Sequence, residues 1–260
     1  MISLASLVPA LLRGEATVPE EWSQGRTAYG GLLAAVGMEA LKGLIPEGRR
    51  AKSFTVAFLG PIPPGQAFEV KTAILASGKS MTVGQVQIEV DGEVRFSQMV
   101  TYAADRTSAV AVAPASAPTW PAAEELPALP FIPKVTPNFT QALEYRWAEG
   151  PMPFSGAKEG FFGGYFRLRD EAGTPEVALA GMFDAWPPAV LPLLKGPAPA
   201  STVNWSVQIF DTPDVRKGDW WRYRAHTVAA SAGTATTKSE LFASDGRLVA
   251  CAEQLVAIYG

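Results

Sequence analysis

Cysteine occurs once in this 260-residue chain, at Cys251, and histidine once, at His226. A lone cysteine cannot close an internal disulfide, and one residue of each kind cannot furnish a cysteine or histidine metal cluster. No metal and no other cofactor is expected, and a reducing compartment such as the bacterial cytoplasm is the default. Charge is also sparse. Charged residues make up 18% of the chain against 48% hydrophobic, and the formal net charge is -3. Nothing here gives the basic surface that nucleic acid or an anionic membrane would need. No uninterrupted apolar run approaches the roughly 18 residues that cross a bilayer. The opening "MISLASLVPALLRGEATVPEEW" lacks a basic start and meets Arg13 and Glu15 early, so it reads as an amphipathic helix of a soluble protein. A nucleophile elbow of the GxSxG type and a glycine-rich phosphate loop are both missing.

What the chain does contain is a repeat. "SGKSMTVGQVQIEVDGEVRFSQMVTY" (77–102) and "SAGTATTKSELFASDGRLVACAEQLVAIY" (231–259) each read as a strand, an Asp-Gly turn and a second strand, and Ser77 to Asp91 and Ser231 to Asp245 span the same 14 residues. Upstream, "PPGQAFEVKTAIL" and "RKGDWWRYRAHTV" each place a glycine before an alternating strand. Further upstream, "SFTVAFLGP" and "TVNWSVQIFDTP" are strands running into proline-bearing loops. Before those, 28–45 and 161–186 share a Gly-Gly pair and an apolar helical segment. Strands follow one another without intervening helices, which predicts antiparallel sheet and an α+β class. The first helix is apolar nearly all round, with Glu39 and Lys42 reading as an exposed ion-paired stripe, so it is expected to be buried under its sheet. The Ala/Pro-rich stretch 107–137 reads as a surface connector.

The ordered set "GRTAYGG", "FLGPIPPG", "SGKSMTVGQVQI", "FRLRD", "MFDAWPPA", "DWWRYRA" and "DGRLVACAEQ" resembles the acyl-CoA thioesterase II type, the TesB-like double hotdog thioesterases, over nearly the whole chain. The resemblance implies two tandem hotdogs, each a long helix wrapped by a curved antiparallel sheet. The N-terminal one spans 1–106 and the C-terminal one 138–260, on either side of the connector. It implies an acyl-CoA substrate, attack of water on the thioester carbonyl, and a homo-oligomer of double hotdogs. Members hold that water with an Asp, a Thr and a Gln. Carried over by position, the Gln falls on Gln254, the Asp on Asn204, and the Thr on Thr227 or the adjoining Val228. A binder of acyl-CoA or another apolar ligand without efficient turnover is the alternative, because an amide cannot serve as a general base near neutral pH.

Other residues weigh as follows. Gly30 and Gly31, at the start of the first helix, are candidate backbone donors to an oxyanion, since the first amides of a helix lack internal partners. By alternation, Asn204 shares a polar face with Thr202, Ser206 and Gln208. Asp184, weighed as a substitute acid, reads first as a helix-end charge that caps or pairs locally, with catalysis as the alternative. Cys251 alternates opposite Gln254 and reads as packing. His226 lies mid-strand without the acid spacing that hotdog hydratases use. Gln254 itself is a satisfied core amide or a site residue. Counted from the two turn aspartates, it aligns with Val100, so the first half has no counterpart of it.

Overall fold

A computed structural model of the chain describes residues 1–259. Helix α1 (Leu4–Leu12) is followed by a two-stranded ribbon, β1 (Ser23–Gln24) with β2 (Thr27–Ala28), and then by helix α2 (Gly30–Lys42). Four strands follow: β3 (Arg49–Phe58), β4 (Glu69–Ser77), β5 (Met81–Val90) and β6 (Glu93–Ala104). After a long irregular stretch come β7 (Leu143–Glu149), β8 (Phe161–Leu168), α3 (Pro175–Phe183), β9 (Ala200–Ile209), β10 (Trp221–Ser231), β11 (Thr234–Phe242) and β12 (Leu248–Ile258). The ten strands β3 to β12 form one antiparallel sheet in the order β4-β5-β6-β3-β9-β12-β11-β10-β8-β7. This is the expected α+β double hotdog, with β3 joined to β9 at its centre.

Helix α2 is buried because nothing on most of its circumference is polar. Leu32, Leu33, Ala34, Ala35, Val36, Met38 and Leu41 are all shielded, while Glu39 and Lys42 near its end form the anticipated ion pair at 3.7 Å. Close packing onto the sheet needs small residues on both sides. A β-carbon at Gly84 of β5 would come within 2.8 Å of the Leu41 side chain, and one at Gly37 would collide with the Gln98 amide. The β5–β6 hairpin turns through Asp91 and Gly92 at φ of 52° and 77°, the left-handed pair that Asp-Gly accommodates.

One expectation needs correction, and the connector carries a further detail. The segment "FFGGYFRL" is not the lead-in to a helix but strand β8, paired with β7 and β10. Its glycines serve the packing of two tryptophans. A β-carbon at Gly164 would come within 2.8 Å of Trp186, and one at Gly163 within 2.6 Å of Trp120. The stretch 107–137 is mostly exposed, yet part of it is fastened to the second half of the sheet. Trp220 Nε1 donates to Glu124 at 2.9 Å, Arg146 Nε donates to the Ala123 carbonyl, and the Trp120 ring lies edge-on to Tyr165.

The centre of the sheet carries a local two-fold relation that fixes what matches what. Between β3 and β9, Phe54 pairs with Val207, Thr55 with Ser206 and Val56 with Trp205, so rotation about the Thr55–Ser206 pair exchanges Phe54 with Trp205. Phe54 pairs onward with Val100, and Trp205 with Gln254. Val100 pairs with Gly84 and Gln254 with Thr237; Gly84 pairs with Ile74 and Thr237 with Thr227. A one-residue bulge recurs at Lys52 and Val203 and makes Ala51 the equivalent of Thr202. The structural equivalence of Gln254 and Val100 is the one counted from the turns.

Candidate functional site

Four polar side chains line up across the inner face of the second half: Thr202 on β9, Gln254 on β12, Thr237 on β11 and Thr227 on β10. Their equivalents in the first half are Ala51, Val100, Gly84 and Ile74, none of which has a hydrogen-bonding side chain. Gln254 is partly buried and bonded on both sides. Its Nε2 donates to Thr202 Oγ1 at 2.6 Å, and its Oε1 accepts from Thr237 Oγ1 at 3.3 Å. Because Thr202 accepts from the amide, its own hydroxyl hydrogen points elsewhere and is free to donate.

Thr202 reaches this face through the bulge. Strict alternation puts residues 202 and 204 on one side of a strand, but the extra residue Val203 breaks the period, so Thr202 pairs with Val256 and joins Trp205 and Gln254 on the inner face. Asn204 does not. It is exposed and sits on the outer face between Leu255 and Ala57, away from Gln254, which corrects its placement beside that residue. Val228 is also a bulge residue and is 51% exposed. Thr227 shares the inner face with Gln254 but is separated from it by Thr237, so the structure does not bring it to the amide.

A carboxyl group comes from a different element. Helix α3 ends at Phe183, and the next residue, Asp184, turns toward the first turn of α2, where its Oδ2 accepts the Gly31 backbone N–H at 3.1 Å. Gly30 makes room for it: a β-carbon there would lie 2.7 Å from Asp184 Oδ2 and 2.8 Å from the Phe58 ring. The bond reaches across 153 residues, so Asp184 is not a local cap. It also takes up the Gly31 amide, which is therefore not the free oxyanion donor expected of it. Its neighbours link this carboxyl to the strands of the inner face. Phe183 packs at 5.7 Å on Trp205, the strand partner of Gln254, and Phe58 follows directly on the last β3–β9 pair, Ala57 with Asn204.

Burial pushes the Asp184 carboxyl up to about 7 from an ordinary 3.8, opposed in part by the Gly31 hydrogen bond. Tyr29, Tyr145 and Tyr223 surround it, but two of their hydroxyls are already used. Tyr29 donates to the Gly181 carbonyl at 2.7 Å and Tyr145 to the Ala185 carbonyl at 2.8 Å, so neither compensates the carboxylate. The deep setting governs the charge of Asp184, although the residue as a whole is not fully shielded.

The remaining candidates lie elsewhere. His226 and Cys251 are on the outer face, where they line an open trough of about 610 Å³ together with Arg224, Lys238, Glu240 and Glu253. Those charges are paired, Arg224 with Glu240 and Lys238 with Glu253, and the trough lies on the opposite side of the sheet from Gln254. Burial raises the Cys251 thiol, which disfavours its reactive thiolate. Among the described residues no cluster of potential metal ligands occurs, and no helix is long and apolar enough to cross a membrane.

Sequence reasoning therefore missed Thr202 and Thr237, and ranked a local role for Asp184 above a catalytic one. A signal for the threonines was present in the repeat, where polar residues replace Ala51 and Gly84. The one for Asp184 was not, because its partner is distant in sequence.

Comparison with known proteins agrees with the architecture. The solved structure of a hot dog fold protein of unknown function from Alicyclobacillus acidocaldarius superposes with a TM-score of 0.81 at 23% identity, covering 94% of this chain and 92% of that one. The tesB protein of Mycobacterium avium subspecies paratuberculosis gives 0.76 at 17% identity, covering 97% and 100%. Acyl-CoA thioesterase II TesB2 from Mycobacterium marinum gives 0.72 at 19% identity, covering 89% and 90%. At these identities the likeness is one of fold. No curated protein matches the chain in sequence. Residues 18–104 match the acyl-CoA thioesterase N-terminal domain and residues 114–258 the acyl-CoA thioesterase C-terminal domain, and on these matches the chain belongs to the acyl-CoA thioesterase family.

Proposed function

We propose that the protein hydrolyses acyl-CoA thioesters to the free acid and CoA, with a water molecule held among Thr202, Gln254 and Asp184. The observation that carries the reading is the Gln254 Nε2 to Thr202 Oγ1 hydrogen bond, at the end of an inner-face polar row that the first half lacks. With the Thr202 oxygen accepting from Gln254, its hydrogen donates to one lone pair of the water. Asp184, ionised near neutral pH, accepts a water hydrogen and takes up the proton as the oxygen attacks the carbonyl. A carboxyl titrating near 7 suits this task better than one near 4, since its conjugate acid can return the proton to the departing thiolate. Developing charge on the carbonyl oxygen falls next to the α2 N-terminus, where the helix dipole favours negative charge.

The alternative of binding without turnover arose because Asn204 occupied the acid position. A carboxyl from another part of the chain, Asp184, supports the reading of turnover over binding alone. The test is thiol release from acyl-CoAs of short to long chain. Wild type is expected to turn over, Gln254→Ala and Thr202→Val to lose about tenfold to hundredfold in kcat/KM, and Asp184→Asn on the order of hundredfold to ten-thousandfold. Asn204→Asp is expected to change little, its side chain being on the far face. Absence of thiol release by wild type, or full activity in Asp184→Asn, refutes the reading.

A further inference from the structure

We propose that Thr227 makes this site selective for acyl groups bearing a neutral hydroxyl or keto oxygen partway along the chain, an inference that rests on the thioesterase reading above. Of the three threonines in the polar row, Thr202 and Thr237 already hydrogen-bond to Gln254. Thr227 does not: its Oγ1 is buried and has no hydrogen-bond partner among the described residues. Orphaned hydroxyls of this kind are costly, so one retained in an apolar wall calls for an explanation.

Its surroundings suggest one. The Thr227 backbone N–H is fixed to the Gly160 carbonyl at 2.7 Å, and a β-carbon on Gly160 would come within 2.6 Å of the hydroxyl. The same glycine faces the Leu193 side chain, which belongs to a small apolar cluster separate from the main core and built from Val190, Leu191, Ala235 and Val256. Ala235 and Val256 are the inner-face neighbours of Thr237 and Gln254. A hydrocarbon chain leaving the carbonyl beside Gln254 and crossing β11 toward β10 would thus run along apolar walls and meet one free donor. The segment above it, 189–194, is tied to 154–157 through Phe154 N–H to Leu191, Gly156 N–H to Leu194 and Ala157 N–H to Pro192, so the wall over the hydroxyl is irregular backbone rather than strand.

The spacing sets the position. Two inter-strand steps separate Thr227 from Gln254, about 10 Å, which places the recognised oxygen on the order of eight carbons from the carbonyl. None of the four row residues carries a charge, so a neutral oxygen fits and a terminal carboxylate does not.

The experiment compares kcat/KM for dodecanoyl-CoA with that for dodecanoyl-CoAs hydroxylated at successive mid-chain carbons, in wild type and in the isosteric Thr227→Val. Wild type is expected to favour one mid-chain isomer, and Thr227→Val to lower the ratio of that isomer to dodecanoyl-CoA about tenfold, with Thr227→Ser restoring it. A ratio unaltered by Thr227→Val overturns the proposal. So does an equal fall for all CoA esters with N-acetylcysteamine esters spared, which would assign the hydroxyl to the pantetheine arm. If wild type releases no thiol from any ester, the thioesterase reading has failed instead. Binding of the same pairs by calorimetry then decides the selectivity alone, equal affinity for both counting against it.

Discussion

Replacing Asp184 with Asn should make the protein more stable and less active, and the gain in stability should depend on pH in a way that identifies the residue. The carboxyl is displaced from 3.8 to about 7, mainly by burial. That corresponds to about 4 kcal/mol of preference for the neutral form, an upper figure that partial solvent contact reduces to roughly 2 kcal/mol. The sign follows from proton counts. Between about pH 4 and 7 the folded state holds a proton on Asp184 that the unfolded chain has released, so this residue's contribution to stability falls as pH rises through that window and is flat above it. Asn carries no such dependence. Its Oδ1 can still accept from the Gly31 N–H. Other carboxylates act in the opposite direction: Glu144 is held low by Arg167 and Arg146, and Asp245 by Arg247, so absolute stabilities mix several effects. The difference between variant and wild type at each pH cancels them. Urea unfolding at pH 8 should favour Asp184→Asn by about 2 kcal/mol, equivalent to roughly 4–8 °C in Tm for a chain of this size. The advantage should shrink steadily toward pH 5. A variant no more stable than wild type at pH 8, or an advantage constant across pH, would refute a buried carboxyl titrating near 7.

The rate should report the same ionisation from the other side. If Asp184 is the base, kcat/KM for a good substrate rises with pH through about 7 and levels off above, and the residual activity of Asp184→Asn lacks that limb. In the first half, Gln98 is fully buried, and neither its Nε2 nor its Oε1 has a hydrogen-bond partner among the described residues. Gln98→Met keeps the side-chain length against Gly37 while removing both orphans, so the urea midpoint should rise with a gain of about 1–3 kcal/mol.

The strands and the first helix were legible in the sequence because their signals are local: period-two alternation, Asp-Gly turns, and a helix apolar on all sides. The site was legible only where its residues obey the same local period. Gln254 does, and turn counting placed it against Val100 correctly. Thr202 and Asn204 do not, because one inserted residue, Val203, exchanges which of them faces inward, and nothing in "STVNWSVQIF" marks the bulge. Alternation therefore left the two on one face, and carry-over from the resemblance settled on Asn204. Asp184 was underrated for another reason. Its significance comes from the α2 N-terminus packed against it and from tyrosines on β7 and β10, contacts that only the tertiary structure creates. The glycines of "FFGGYFRL" misled in the same manner, since they accommodate Trp120 and Trp186, residues distant in sequence.

The two-fold relation allows the row to be tested as a unit. If Gln254 works because Thr202 and Thr237 flank it, then the same amide at the equivalent place in the first half should do nothing useful. Val100→Gln puts it between Ala51 and Gly84, neither of which offers a side-chain partner, on a face where Leu41 already closes over Gly84. The introduced amide would be buried and unpaired, at a cost of about 2–4 kcal/mol in urea unfolding, and would confer no second active site. Adding Ala51→Thr supplies one partner in the position of Thr202 and should recover about 1 kcal/mol of that loss. Recovery of stability by the second substitution would show that the hydroxyl–amide pair is a local module set by the bulge and the strand register. If Val100→Gln is as stable as wild type, or if Ala51→Thr deepens the loss, the equivalence drawn from the register does not extend to side-chain geometry, and the pairing of Gln254 with Thr202 must depend on features peculiar to the second half.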